Sequence, residues 1–211
     1  KFGDNSKDAF LRLVKKLDEL KFMPVLRRIN ERTVLRVLPK LETRPSRPVI
    51  NIILLIATIG TTFLSGYLLS LSSPKRIGDP FVGALEFTVA ILAILGAHEM
   101  GHKLTSDKHR IEATYPYFIP GIPPIGTFGA VIQQKSLSPN KDALFDLGAS
   151  GPIIGFIVAV VVTIFGIYLS LPPIPEAELP PNLVSLEVPI LFNLLELAMV
   201  PVPAAGDSLV L

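Results

Sequence analysis

The sequence predicts an α-helical membrane protein with at least three transmembrane helices, a membrane-embedded non-helical hairpin and a small cytosolic N-terminal α+β appendage. Of its 211 residues 49% are hydrophobic, and the mean hydropathy is +0.52. Only 18% are charged, against about 25% in a typical soluble domain. The sequence contains no cysteine, which excludes a disulfide scaffold, thiolate zinc sites and cysteine nucleophiles.

The charges are segregated along the chain. Residues 1–48 contain thirteen Lys/Arg and six Asp/Glu, a balance of +7, whereas the rest contains seven and twelve, a balance of −5. A basic arm of this kind either binds nucleic acid or marks the cytoplasmic side of a membrane protein. The long apolar segments that follow favour the membrane, so the expected partner of the arm is a lipid bilayer and not nucleic acid.

Two uncharged segments are long enough to cross a bilayer. Residues 49–71 form one, and residues 151–171 lie in the other. About 20 apolar residues span the ~30 Å hydrocarbon core as a helix, and a soluble core helix of this length would show a polar stripe that neither segment has. We predict a transmembrane helix for each.

A third apolar segment, residues 81–102, contains ionisable side chains. These are Glu86, His98, Glu99 and His102. Ionisable groups at membrane depth are costly and are usually functional. We therefore predict a third span here and expect the functional site in it.

The Lys and Arg residues predict the orientation. Thirteen precede the first span, two lie in the first loop, five lie in residues 103–146, and none lies in the acidic, proline-rich residues 172–211. By the positive-inside rule the N-terminus and the connection 103–146 lie in the cytoplasm. The sequence thus predicts a multi-pass protein of the cell membrane with its tail outside.

The N-terminal arm has its own pattern. Residues 8–22 place apolar side chains at helical spacing with lysines opposite, and residues 24–29 and 33–38 resemble two strands joined by a turn. We predict a small helix–hairpin appendage over residues 1–48. The alternative is a basic helix on the anionic inner leaflet, followed by coil.

The connection that follows the predicted span 81–102 is apolar but cannot be helical. Six of the residues from Pro116 to Gly126 are glycine or proline. Non-helical backbone is tolerated at membrane depth only where protein buries it or where it lines a cavity. We predict a re-entrant hairpin over about 113–134. The alternative is a surface loop with apolar side chains. Residues 183–200 could be amphipathic, re-entrant or a loosely packed helix.

The strongest motif is His98-Glu99-Met100-Gly101-His102. Residues i and i+4 lie on the same helix face, so His98 and His102 can converge on one zinc ion. Zinc lowers the pKa of a bound water to about 7, and Glu99 can then accept its proton as a general base. The alternative is a pair of helix histidines that are simply hydrogen-bonded at the membrane interface.

A third protein ligand is harder to assign. In one class of soluble zinc peptidases a third histidine falls at the position of Lys108, and in another a glutamate falls near Gly121–Pro124. Neither residue is present. The remaining carboxylates offer no convincing ligand; they are Asp107, Asp142, Asp146 and Asp207.

The combination of motifs resembles a known family. An HExxH in an apolar helix, a Gly/Pro-rich connection and the segment GASGPIIGF at 148–156 resemble the site-2 protease family of intramembrane zinc metallopeptidases. Residues 116–133 are similar to its archaeal and plant-plastid branch in particular. The resemblance covers about residues 45–171.

The resemblance implies regulated intramembrane proteolysis, the hydrolysis of a peptide bond in or near a transmembrane segment of a substrate protein. Zn²⁺ would be held by His98 and His102, with Glu99 as the catalytic base. The third ligand would be an aspartate in an Asp-Gly pair on a later helix. The sequence contains no Asp-Gly pair, so we expect the chain to be a fragment that ends before that helix.

A helical substrate must unwind before its peptide bonds are accessible. We expect the strand-like residues Gly126, Thr127, Phe128 and Gly129 to bind the unwound substrate by edge pairing. Two other hypotheses stay open: a metal or ion transporter that uses the intramembrane His/Glu cluster, and a catalytically inactive scaffold.

Overall fold

Three long helices make up most of the described part of the chain. The computed structural model describes residues 6–29, 32–39, 48–72, 79–169, 174–175, 189–199 and 209–210. Among these residues, three helices are long and apolar enough to cross a membrane: α2 (Pro48–Ser72), α3 (Pro80–Lys108) and α4 (Lys141–Leu169). Their length and composition confirm the prediction of at least three candidate spans.

The helix bounds differ from the predicted spans mainly in α4. This helix begins at Lys141, ten residues before the predicted 151, and α3 continues to Lys108 instead of ending at 102. Asn140 caps α4, because its Oδ1 accepts a hydrogen bond from the Ala143 N–H (2.7 Å). The first turns of α4 are polar, so an apolar window misses them although the helix is continuous.

Helix α3 packs against both α2 and α4. Small residues bring α2 and α3 together: a Cβ at Gly66 would lie 2.9 Å from the Cβ of Phe87. The buried hydroxyls of Thr58 and Thr62 donate to carbonyls one turn earlier in α2 (2.8 and 2.7 Å). Their hydrogen bonds are thereby satisfied within the helix, as an apolar surrounding requires.

The Gly/Pro-rich connection forms an antiparallel hairpin between α3 and α4. Its strands are β3 (Tyr117–Pro120) and β4 (Thr127–Val131), and a further bridge joins Ala113 to Gln134. Strand β3 packs on α2. The connection is therefore held to the helical body and is not a projecting loop.

The N-terminal unit contains helix α1 (Ser6–Glu19) and strands β1 (Phe22–Ile29) and β2 (Arg32–Pro39). The strands are antiparallel, and α1 packs on β1. Every residue of β2 is exposed.

The C-terminal part contributes a short helix and a small strand pair. Helix α5 (Ile190–Met199) packs on α4, and β5 (Ile174–Pro175) pairs with β6 (Leu209–Val210). Of the segment 183–200, residues 183–188 and 200 lie outside the described residues, as does Asp207.

Candidate metal centre

The two histidines of the HExxH motif face each other on α3. Their Nε2 atoms are 3.2 Å apart, and their ring centroids are separated by 4.9 Å in an edge-on arrangement. Glu99, beside the first histidine, is buried with 8% of its surface exposed. The structure thus brings together the predicted metal ligands in the same helical turn as the predicted base.

The orientation of His102 is set by the backbone of α4. Its Nδ1 lies 2.6 Å from the carbonyl oxygen of Leu147. A carbonyl can only accept a hydrogen bond, so Nδ1 is the donor, and in the neutral imidazole this leaves the lone pair on Nε2. The Ser150 hydroxyl donates to the same carbonyl at 3.0 Å. An acceptor behind a histidine is the usual way in which proteins orient a metal ligand.

Glycines allow α4 to approach the histidines this closely. A Cβ at Gly151 would lie 2.1 Å from His102 Nε2, and a Cβ at Gly155 would lie 3.1 Å from His98 Nδ1. The four-residue spacing of these glycines matches the four-residue spacing of the histidines, so each imidazole packs on one glycine. Any side chain at Gly151 would occupy the position of the ring.

The donor set fits a zinc ion. Two nitrogens bound tetrahedrally at 2.0–2.1 Å are roughly 3.3–3.4 Å apart, close to the 3.2 Å between the two Nε2 atoms. Within the described ranges, no group of three or more His, Cys, Asp or Glu side chains comes together. Asp146, one of the carboxylates considered above as a third ligand, pairs with His109 (2.8 Å).

The predicted substrate-binding residues lie at the turn of the hairpin and in β4. Gly126 and Thr127 are buried, Phe128 is 72% exposed and Gly129 is partly buried. The Thr61 hydroxyl of α2 donates to the Gly126 carbonyl (2.7 Å). Strand β4 also contacts α3, the helix that carries the HExxH motif.

A second contact anchors the other end of the hairpin. The Asn51 side-chain amide donates to the carbonyls of Tyr115 and Pro116, both at 2.8 Å. Asn51 and Thr61 are ten residues apart in α2, about 15 Å along the helix axis. The hairpin is therefore hydrogen-bonded to α2 at two positions along the helix.

Gly126 should tolerate substitution least among the hairpin glycines. Its φ is +81°, and a Cβ would lie 2.5 Å from the Thr61 carbonyl oxygen. Gly129 has a φ of +108° but open space around it. We expect Gly126→Ala to cost about 1–3 kcal/mol more stability than Gly129→Ala, because only the first adds a clash to the backbone strain. Thermal unfolding in detergent measures this; equal losses would contradict the clash.

Several residues that orient His102 or hold the hairpin have no pattern in the sequence that would identify them. The acceptor at Leu147 is a backbone carbonyl, and Asn51 and Thr61 are ordinary polar residues in an apolar helix. The pair Gly151 and Gly155 is visible in the sequence, because it lies in the segment that carries the family resemblance.

The comparison with protein families agrees with this geometry. A sequence model described as Peptidase family M50 matches residues 86–204, more than half of the chain and the whole of the HExxH helix after its first turns. The chain belongs to Peptidase family M50. This is the site-2 protease family, so the predicted resemblance is confirmed.

Curated relatives of this M50 chain come from plants. It is 38% identical over 95 residues to a protein of Arabidopsis thaliana named probable zinc metalloprotease EGY1, chloroplastic, covering 44% of this chain and 17% of the relative. It is 29% identical over 169 residues to EGY2 of Oryza sativa subsp. indica, named in the same way, covering 80% of this chain and 30% of the relative.

The M50 chain thus matches less than a third of the length of these relatives. No solved structure gives a significant match to it.

Proposed function

We propose that this M50 chain supplies two zinc ligands and the general base of a membrane zinc endopeptidase. The observation that carries the proposal is the 3.2 Å approach of the His98 and His102 Nε2 atoms, with the buried Glu99 next to His98 in the chain. Relatives named zinc metalloproteases support the choice of metal. The third ligand is proposed to be an aspartate of an Asp-Gly pair, which the 211 residues do not contain.

Each residue of the proposed site has a separate role in peptide-bond hydrolysis. Zinc, when bound, would lower the pKa of a water to about 7 and polarise a carbonyl. Glu99 takes the proton from the attacking water as the new C–O bond forms. Glu99 then gives that proton to the amide nitrogen as the C–N bond breaks. Leu147 and Gly151 hold the His102 ring in the orientation and tautomer that leave Nε2 unprotonated.

We also propose that the hairpin is embedded in the membrane. Its turn touches α2 at Thr61, the fourteenth of the 25 residues of Pro48–Ser72 and thus near the middle of a helix long enough to span. Backbone at that depth requires protein partners for its polar groups. The hydrogen bonds from Asn51 and Thr61 to hairpin carbonyls are partners of this kind.

Strand β4 is the proposed binding element for the substrate. Among the described strands it pairs only with β3, so its other edge can pair with an extended peptide. The exposed Phe128 lies on this strand, which contacts the HExxH helix. The proposed substrate is a transmembrane segment of another protein, unwound at the cleavage point.

The proposed topology rests on the two candidate spans between the arm and the connection. In the proposed topology, residues 1–48 and both ends of the connection 103–146 lie on the same side of the membrane, with the hairpin re-entering from it, and their Lys/Arg excess favours the cytoplasmic or equivalent side. The relatives are named chloroplastic, which gives no support to the cell membrane that the charge pattern predicted. The family match does not favour the transporter hypothesis.

Zinc content tests the metal assignment. We expect His98→Ala in the intact protein to lower bound zinc from about one ion per chain to near zero, since a two-histidine half-site loses one of its ligands. Elemental analysis of purified protein measures it. His109→Ala is the matched control, because His109 caps α3 and pairs with Asp146 outside the cluster. Zinc retained by His98→Ala would refute the assignment.

A further inference from the structure

One face of the N-terminal hairpin combines cations with exposed apolar side chains. Arg32, Val34, Arg36 and Leu38 alternate along β2, so they lie on one face of the strand, and all four are exposed. Ile29, which pairs with Arg32 and is also exposed, extends this face onto β1. We call this set the arginine face.

The opposite face is partly covered by α1, while Leu26, Leu35 and Val37 on it are exposed. Pro24 pairs with Val37, and residues paired directly across two strands share a face, so Pro24 lies opposite the arginine face. Pro24 is buried, and α1 packs on the strand that contains it. Helix α1 therefore leaves the arginine face open, and its own exposed cations add to the positive charge of the N-terminal unit: Arg12, Lys15 and Lys16.

The chain keeps the arginine face near the membrane. Strand β2 ends at Pro39, and α2, a helix long enough to span, begins at Pro48. Nine residue steps reach at most roughly 30 Å when fully extended. A surface with exposed apolar side chains is thus tethered within a short distance of lipid.

We propose that the arginine face docks on anionic lipid headgroups. The guanidinium groups of Arg32 and Arg36 bind lipid phosphates bidentately, and Val34 and Leu38 enter the boundary between headgroups and acyl chains. Residues 1–48 carry a balance of +7, which complements an anionic surface. Nucleic acid would also attract the arginines, but it would leave the interleaved apolar side chains in water.

A single introduced tryptophan can report this docking by its fluorescence. It contains no tryptophan, so Val34→Trp introduces one fluorophore at the centre of the arginine face. Leu35→Trp places the same fluorophore on the opposite face and is the matched control. Each full chain is reconstituted in nanodiscs with brominated lipids, of phosphatidylcholine alone or with about one third phosphatidylglycerol.

In anionic discs we expect strong quenching and a blue shift for Val34→Trp and little of either for Leu35→Trp. Adding Arg32→Gln and Arg36→Gln to the Val34→Trp chain should lower the ratio of docked to undocked protein about 30-fold. Equal quenching of the two reporters, or quenching independent of phosphatidylglycerol, would overturn the proposal. So would a response of Val34→Trp to added oligonucleotide but not to anionic lipid, which would assign the face to nucleic acid.

Discussion

Replacing Glu99 by glutamine is expected to lower peptide-bond cleavage by about 100-fold to 10,000-fold. Glutamine keeps the size of the side chain but cannot accept the proton of the attacking water. The histidines do not change, so their 3.2 Å arrangement and the bound zinc should persist. The measurement is cleavage of a model transmembrane substrate by the intact protein in proteoliposomes, with zinc content determined on the same sample.

Glu86→Gln is the control for this substitution. Glu86 is the other acidic residue of the apolar part of α3, it is exposed, and it lies more than three turns from the motif. We expect it to leave cleavage unchanged. Full activity of Glu99→Gln would exclude the general-base role, and a parallel loss in both variants would point to a general effect of charge in α3. A transporter would have no cleavage to lose and would change its ion flux instead.

Gly151→Ala should have the second largest effect, through a residue without any functional group. Its Cβ would lie 2.1 Å from His102 Nε2 and 2.5 Å from two ring carbons. Either α4 moves away, which breaks the 2.6 Å contact of His102 with the Leu147 carbonyl, or the ring rotates out of position. We expect zinc affinity to fall by about 100-fold or more, measured by competition with a chelator.

Gly148→Ala is a close control, since it lies one turn earlier in the same helix with open space around it. Alanine favours a helix over glycine by about 1 kcal/mol at either position. If helix propensity decided the outcome, both variants would be stabilised and both would bind zinc normally. We expect that result for Gly148→Ala alone.

The parts of the fold that periodicity controls could be predicted from the sequence. The i, i+4 spacing of His98 and His102 places them on one face of any helix, and the structure has them there. The apolar segments located all three long helices. The start of α4 could not be found in this way, because its first turn is polar and depends on the Asn140 cap.

What could not be predicted depends on contacts between distant segments. Nothing local marks the Leu147 carbonyl as the acceptor for a histidine 45 residues away. The depth of the hairpin likewise depends on where Gly126 meets α2, and a glycine with positive φ is compatible with many turns. In both places the deciding contact is made by a backbone carbonyl, and backbone groups are the same at nearly every position of a sequence.

The Leu147 contact also has a consequence for the order of assembly. His98 and His102 share one helix, so the proposed half-site exists as soon as α3 forms, but only α4 supplies the carbonyl that orients His102 through Nδ1. Affinity for the metal should therefore rise when the two helices dock, because ligand orientation is gained at that step. During biogenesis, tight metal loading would follow membrane insertion of α4, and a nascent chain that has inserted only α2 and α3 would hold the ion weakly.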